Sequence, residues 1–198
     1  MREEHNRKDQ LDSQSQPDNQ VQKQITSSTL VPHLALVGYS NSGKTTLATQ
    51  IVTLLKQKGY RIGTIKHDAH EIQLDLTGKD TFRYMEAGAD IVMIASAAKL
   101  TYWEQVENPH SLDQLLQRFD RLGLDLVLIE GFKQEPTPKI LVARTEDQLA
   151  LGAKLSNLLA IATTLDQVEM PPDVTLLNLN DPAAVTLFIE EKFFDKSR

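Results

Sequence analysis

The chain has 198 residues, of which 40% are hydrophobic, with a formal net charge of -6 and no cysteine. This length and apolar content suit one domain of ordinary size with a substantial core. The lack of cysteine excludes disulfides, thiolate zinc sites and a cysteine nucleophile, and the negative charge argues against a general nucleic-acid-binding surface. Because no apolar run approaches the roughly 18 residues that span a bilayer and no signal-peptide core is present, we expect a cytoplasmic protein without a nucleic-acid or membrane partner.

The first 29 residues differ in composition from the rest of the chain. They are rich in Gln, Ser, Asp and Lys, lack aromatic residues, and carry only scattered apolar positions. Such a segment buries too little apolar surface to offset its ordering entropy. We therefore predict a disordered tail over residues 1–29 and a single domain over residues 30–198.

Short β-rich runs alternate with helical patterns beyond the tail. Residues 111–119 have the spacing of an amphipathic helix that begins with a capping box of Ser111 and Gln114, and Asp181 followed by Pro182 indicates the start of the last helix. Near-continuous apolar strands alternating with helices predict an α/β fold of three layers, a mostly parallel sheet with helices on both faces. The predicted strands are HLALVG, YRIGTIK, DIVMIASA, LDLVLIEGF, PKILVAR, NLLAIATT and VTLLNL, with TYWEQV as a candidate antiparallel extension.

The sequence GYSNSGKT, residues 38–45, fits the phosphate-loop pattern G-x-x-x-x-G-K-[ST] between a predicted strand and a predicted helix. The glycines allow backbone N–H groups to surround phosphate oxygens, while the lysine adds positive charge and the threonine offers a hydroxyl to Mg²⁺. The pattern predicts a phosphate-loop NTPase fold. The predicted nucleotide-binding residues in the loop are Gly38, Ser40, Asn41, Ser42, Gly43, Lys44, Thr45 and Thr46.

A carboxylate for the metal is predicted at the end of LDLVLIEGF. In phosphate-loop proteins, Mg²⁺ is held by a carboxylate at the carboxyl end of a neighbouring apolar strand. Glu130 lies at that end, whereas Asp125 lies at the start of the strand and is interpreted as a strand-entry residue. We therefore predict a Mg²⁺ site formed by Thr45 and Glu130.

Polar residues are concentrated between the second predicted strand and the next helix. The segment leaves the sheet beside the phosphate loop, where switch segments of nucleotide-binding proteins respond to the γ-phosphate. It is interpreted as a nucleotide- or partner-sensing segment, with a transition-metal site as the alternative. Its candidate residues are His67, Asp68, His70, Asp75, Lys79 and Asp80.

A guanine contact is predicted at Asp166. This residue follows the strand NLLAIATT, a position from which a carboxylate can accept hydrogen bonds from guanine N1–H and N2–H₂. The surrounding sequence is T-x-x-D rather than N-K-x-D, and a lone aspartate after a strand is also common in loops and helix caps. Both interpretations remain open on the residues alone.

With these motifs in this order, the chain resembles the molybdopterin-guanine dinucleotide biosynthesis adaptor proteins, the MobB family, over about residues 33–194. The resemblance rests on GYSNSGKTT, IKHDAHEIQLDLTGKDTFRYMEAGA, LDLVLIEGFK and IATTLD. It implies a phosphate-loop domain that binds GTP and forms a homodimer. It also implies that the protein assists a partner nucleotidyltransferase, MobA, in attaching GMP to molybdopterin, without itself being the transferase.

The resemblance also assigns individual positions. Lys133 matches the last residue of the family's E-G-F-K and is a further candidate for the switch-like or partner-sensing group. Asp166 matches the family's aspartate after the strand NLLAIATT. The chain departs from the family at Ala69 and Glu71, where a third histidine and an aspartate are usual. This departure argues against a metal site in the histidine-containing segment.

The expected function is therefore a GTP-binding adaptor with at most weak intrinsic GTPase activity. No water-orienting glutamine or arginine finger is evident in the sequence. Arg83 is the candidate for a contributing arginine, although an arginine on a helix face is more often a solvated surface charge. A small-molecule kinase and a metallochaperone GTPase are the alternatives. The first would need an arginine-rich lid, and the second is disfavoured by the lack of cysteine.

Overall fold

The computed structural model describes residues 30–67, 80–169 and 171–194. The predicted tail, residues 1–29, lies outside the described residues. The elements in chain order are β1 (His33–Val37), α1 (Lys44–Gln57), β2 (Ile62–Lys66), α2 (Asp80–Glu86), β3 (Ile91–Ala95), β4 (Leu100–Glu104), α3 (Leu112–Gln117), β5 (Leu126–Glu130), β6 (Lys139–Ala143), α4 (Glu146–Leu149), β7 (Leu158–Thr163), β8 (Thr175–Asn178) and α5 (Pro182–Phe193). Short 3₁₀ turns occupy residues 120–122 and 152–154.

Six strands form one sheet in the order β2-β5-β1-β6-β7-β8. Every neighbouring pair in this sheet is parallel. The carboxyl ends of all six strands therefore lie along the same edge, where ligands bind in open α/β sheets. β1 lies inside the sheet, so the loop that follows it has the end of β5 on one side and the end of β6 on the other.

Two apolar cores cover the two faces of the sheet. Side chains alternate along a strand, so Leu34 and Leu36 of β1 pack with α1 and α5 on one face. Ala35 and Val37 face the opposite core, which contains residues of α3. The predicted three-layer α/β architecture with a mostly parallel sheet is confirmed.

The strands β3 and β4 form a separate antiparallel pair. The expected antiparallel extension at TYWEQV is confirmed, and its partner is the strand predicted at DIVMIASA, which lies outside the parallel sheet. Arg118, just after α3, donates to Glu104 Oε2 at 2.8 Å and to the Tyr102 hydroxyl at 2.9 Å. These contacts fasten the β3–β4 arm to the main domain.

The predicted helix starts are also confirmed. Ser111 and Gln114 exchange side-chain and backbone hydrogen bonds in a capping box, and the Asp181 carboxylate accepts from the Ala184 N–H ahead of α5. The four-residue helix α4 was not predicted, because so short an element has no readable period. Among the described residues, the helices are all too short or too polar to cross a membrane.

Candidate nucleotide-binding site

The loop between β1 and α1 has the backbone that a phosphate cradle needs. Gly43 has a φ of 101° and Asn41 a φ of 60°, both in the left-handed region. A Cβ at Gly38 would lie 2.4 Å from the Val142 carbonyl oxygen, so only glycine fits against β6 there. α1 begins at Lys44 with no side-chain cap and no acidic residue in its first turn. The first N–H groups and the positive end of the helix dipole are therefore available to an anion.

Lys44 brings positive charge into the cleft beside this loop. Its Nζ donates to the Tyr39 carbonyl at 2.7 Å, which holds the side chain back along the loop. Burial lowers the pKa of Lys44 from its ordinary 10.5; the negative charge of Glu130 opposes this shift, and the positive charges of Lys133 and Lys66 add to it. A ligand with several negative charges would relieve the repulsion among these cations.

Thr45 and Glu130 lie side by side at the predicted metal position. The Thr45 hydroxyl is 2.9 Å from both carboxylate oxygens of Glu130, because β5 runs parallel to β1 with Glu130 in register with Leu36. A hydroxyl and a carboxylate beside a phosphate site are oxygen donors of the kind that Mg²⁺ uses together with water and phosphate. Among the residues that the structure describes, no group of three or more His, Cys, Asp or Glu side chains could hold a metal.

Asp125 has the role predicted for it at the opposite end of the strand. Its carboxylate accepts from the Arg61 N–H at 2.8 Å, and its own N–H donates to the Arg61 carbonyl at 2.8 Å. These bonds join the entry of β5 to the entry of β2. Asp125 is therefore a strand-entry residue.

The predicted loop residues line one open cleft of about 780 Å³. Ser42 is the exception: its side chain is fully buried, and its N–H donates to the Tyr39 carbonyl. The residues that line the cleft are Gly38, Ser40, Asn41, Gly43, Lys44, Thr45, Thr46, Lys66, His67, Glu130, Gly131, Lys133 and Arg144.

Three of the lining residues were not among the predicted site residues: Lys66, Gly131 and Arg144. Lys66 is the last residue of β2, whereas Gly131 and Arg144 directly follow β5 and β6. The available signal was their position at the carboxyl ends of parallel strands, the edge at which such folds bind ligands.

His67 and Lys133 approach the cleft from two adjacent segments. The His67 N–H donates to the Glu130 carbonyl at 2.9 Å, and its ring lies 4.3 Å from the Phe132 ring. The Lys133 ammonium lies 5.2 Å from the centre of the Tyr39 ring. These contacts fix the residues around Glu130 next to the phosphate loop.

Two further predicted site residues that the structure describes, Asp166 and Asp80, do not line the cleft. Asp166 is exposed beyond the end of β7, at the same sheet edge but two strands away from β1. Asp80 is the exposed first residue of α2. The remaining candidates of the polar segment, Asp68, His70, Asp75 and Lys79, lie outside the described residues.

Known proteins are similar to this chain in sequence and in fold. Residues 33–164 match the family described as "MobB: Molybdopterin guanine dinucleotide synthesis protein B". The chain is 42% identical to the molybdopterin-guanine dinucleotide biosynthesis adapter protein of Haemophilus influenzae, a match that covers 81% of this chain and 88% of that protein. It is 33% identical to the protein of the same name from Escherichia coli K12, a match that covers 82% of this chain and 94% of that protein.

A solved structure extends the similarity to three dimensions. The crystal structure of Bacillus subtilis MobB matches with a TM-score of 0.67 at 28% identity, covering 81% of this chain and 97% of that one. The family match spans the phosphate loop, the Thr45–Glu130 pair and the strand β7. The chain therefore belongs to the MobB family.

Proposed function

We propose that this chain is a cytoplasmic GTP-binding adaptor in the biosynthesis of the molybdopterin-guanine dinucleotide cofactor. In this role it assists a partner nucleotidyltransferase of the MobA kind in attaching GMP to molybdopterin. The adapter role is supported by the names of the Haemophilus influenzae and Escherichia coli relatives. The observation that carries nucleotide binding is the cleft itself, in which the phosphate loop, Lys44 and the Thr45–Glu130 pair converge.

The base is proposed to be guanine, with Asp166 accepting from its N1–H and N2–H₂. Support comes from the position of Asp166 after β7, at the same edge of the sheet as the phosphate loop. A nucleotide whose phosphates occupy the loop can extend along this edge toward β7. Adenine has no matching pair of donors, so this contact would discriminate between the two purines.

GTP hydrolysis is proposed to be slow or absent. No glutamine lines the cleft among the described residues, and phosphate-loop sites that lack a water-orienting residue and an arginine finger react slowly. Arg83 is an exposed residue of α2 and does not line the cleft. The kinase alternative has little support, because Arg144 is the single arginine that lines the described part of the cleft. The metallochaperone alternative depends on a segment that lies largely outside the described residues.

Equilibrium binding of GTP and ATP in the presence of Mg²⁺ tests this proposal. We expect the wild type to prefer GTP, Asp166→Ala to abolish that preference, and Lys44→Ala to weaken both nucleotides about tenfold or more, since it removes charge-assisted contacts. Asp173→Ala, at another exposed aspartate, is the matched control and should retain the preference. Equal or tighter ATP binding by the wild type would refute the guanine assignment and favour a kinase. A GTP preference would justify assaying cofactor maturation with the transferase.

We also propose that the protein acts as a homodimer that pairs through the β3–β4 arm. Directly paired residues share a face of the antiparallel pair, so Ile91 and Met93 lie on one face with Leu100 and Tyr102. Met93 is 59% exposed and Leu100 is 64% exposed, and a two-stranded sheet on its own is marginally stable in water. A second copy, with the same apolar face, is the partner that would cover it.

Sedimentation of the full chain tests the dimer. We expect the wild type to sediment as a dimer and the variants Met93→Glu and Leu100→Glu to dissociate, because each would bury a charge in the interface. Leu187→Glu, at a 54% exposed leucine of α5, is the matched control and should remain dimeric. A monomeric wild type would refute the proposal, as would arm variants that stay dimeric.

A further inference from the structure

Arg144 lies against the phosphate loop on the side opposite to the metal position. It is the residue directly after β6, and its guanidinium lies where a side chain at position 43 would stand: a Cβ on Gly43 would come within 3.0 Å of Nη2 and 3.2 Å of Nε. Gly43 therefore has two roles: it adopts the left-handed backbone of the loop, and its lack of a side chain leaves space for the Arg144 guanidinium.

Arg144 is held in this position by two hydrogen bonds. Its Nε donates to the Ser42 carbonyl at 3.2 Å, and its backbone N–H donates to Gln148 Oε1 of α4 at 2.8 Å. Within the described part of the chain, Nη1 and Nη2 have no hydrogen-bond partner, although the residue lines the cleft. A fixed guanidinium with two free nitrogens suits a bidentate contact with phosphate oxygens.

The order of the strands gives the direction of a bound nucleotide. Along the sheet edge the carboxyl ends follow one another as β5, β1, β6 and β7. They carry, in turn, the metal-side carboxylate Glu130, the phosphate loop, Arg144 and Asp166. A nucleotide with its terminal phosphate beside Glu130 and its base near Asp166 would pass Arg144 between these two ends.

We propose that Arg144 binds the α-phosphate of the nucleotide and so positions the base for its contact beyond β7. This inference rests on the proposed nucleotide-binding function of the cleft. The α-phosphate is the group that joins the β- and γ-phosphates in the loop to the ribose, and it lies on the base side of the loop. Because the strand order places Arg144 across the phosphate loop from Glu130, we expect it to contact the α-phosphate rather than the γ-phosphate.

The test compares ligands that contain or lack an α-phosphate. Binding of GTP, GDP, ATP, ADP and inorganic pyrophosphate would be measured with Mg²⁺ on the full-length wild type, Arg144→Gln and Arg121→Gln. Glutamine keeps an N–H donor for the Ser42 carbonyl but has no charge. Arg121 is exposed in the 3₁₀ turn at residues 120–122 and is the matched control.

We expect Arg144→Gln to weaken the binding of all four nucleotides by about tenfold or more, which is the usual cost of losing a hydrogen bond to a charged group. Pyrophosphate, which fills the β and γ positions, should change by less than about twofold, and Arg121→Gln should match the wild type. Equal weakening of pyrophosphate would overturn the inference in favour of a structural role for Arg144. Weakening of triphosphates alone would place Arg144 at the γ-phosphate and overturn it too, as would unchanged nucleotide binding.

The outcome is separable from the proposed guanine specificity. The α-phosphate is common to guanine and adenine nucleotides. The effect of Arg144→Gln on nucleotide affinity can therefore be compared with its effect on pyrophosphate affinity whichever base the protein prefers. If the wild type binds ATP as well as GTP, the guanine assignment fails while the assignment of Arg144 stands or falls on its own data.

Discussion

Replacing Lys139 with methionine should destabilise the protein strongly, although the residue is remote from the cleft. Lys139 is the first residue of β6 and is fully buried. Its ammonium donates to three backbone carbonyls, those of Glu135, Thr137 and Ser156. One buried charge thus joins the loop before β6 to the loop before β7. Methionine has a similar length but has no donor.

The magnitude follows from these three contacts. Each hydrogen bond to a charged group makes a net contribution of about 1.5–3 kcal/mol to stability. Burying the ammonium costs several kcal/mol, which offsets part of that sum. Methionine removes the burial cost but leaves three carbonyls without this donor, at about 1 kcal/mol each. The free energy of unfolding of Lys139→Met should therefore fall by about 3 kcal/mol relative to the wild type.

Urea unfolding followed by circular dichroism measures this difference, with Lys154→Met as the control at an exposed lysine. The control should change the free energy of unfolding by less than about 0.5 kcal/mol. A loss below about 1 kcal/mol in Lys139→Met would show that the three carbonyls are satisfied without the ammonium, and would refute the reasoning.

The difference in unfolding free energy between the wild type and Lys139→Met should also depend on pH. Burial lowers the pKa of Lys139 from its ordinary 10.5, with a smaller opposing effect of the Glu135 charge. Between the folded-state pKa and 10.5 the unfolded chain binds the proton more tightly, so the contribution of Lys139 to stability rises with pH in that window. The stability difference between wild type and Lys139→Met should therefore grow as the pH approaches 10.5. A difference that shrinks would contradict the lowered pKa.

Three further predictions concern the cleft and the helix ends. Gly38→Ala should lower the free energy of unfolding by about 1–3 kcal/mol in urea titrations, because its Cβ would lie 2.4 Å from the Val142 oxygen; an unchanged midpoint would refute this. Glu130→Gln should reduce the Mg²⁺-dependent gain in GTP affinity about tenfold, measured by titration with and without the metal, and an undiminished gain would exclude Glu130 from the metal site. Asp181→Ala removes the cap of α5 and should cost about 1 kcal/mol of unfolding free energy; a loss under about 0.3 kcal/mol would contradict a capping role.

Local sequence patterns were sufficient to predict most of the elements and most of the residues that line the cleft. The period of α1, the apolar strands and the caps at Ser111 and Asp181 depend on residues a few positions apart, and the structure has these elements where they were predicted. The phosphate loop is also a short motif, so its residues could be assigned to one cleft in advance. Glu130 could be chosen over Asp125 because strand polarity alone decides which end faces the loop.

Tertiary packing determined the placement of β3 and the contacts of Arg144 and Lys139, which local sequence patterns could not predict. The sequence of β3 is continuously apolar, like a buried strand of the parallel sheet, yet β3 lies outside that sheet with most of its side chains exposed. Arg144 donates to the Ser42 carbonyl across 102 positions of sequence. No local pattern distinguishes Lys139 from an exposed lysine, yet its ammonium donates to three backbone carbonyls in the folded chain. Short-range periodicity determines which segments fold into strands and helices. Which charged residue faces a ligand and which is enclosed depends on strand order and on loops that meet only in the folded chain.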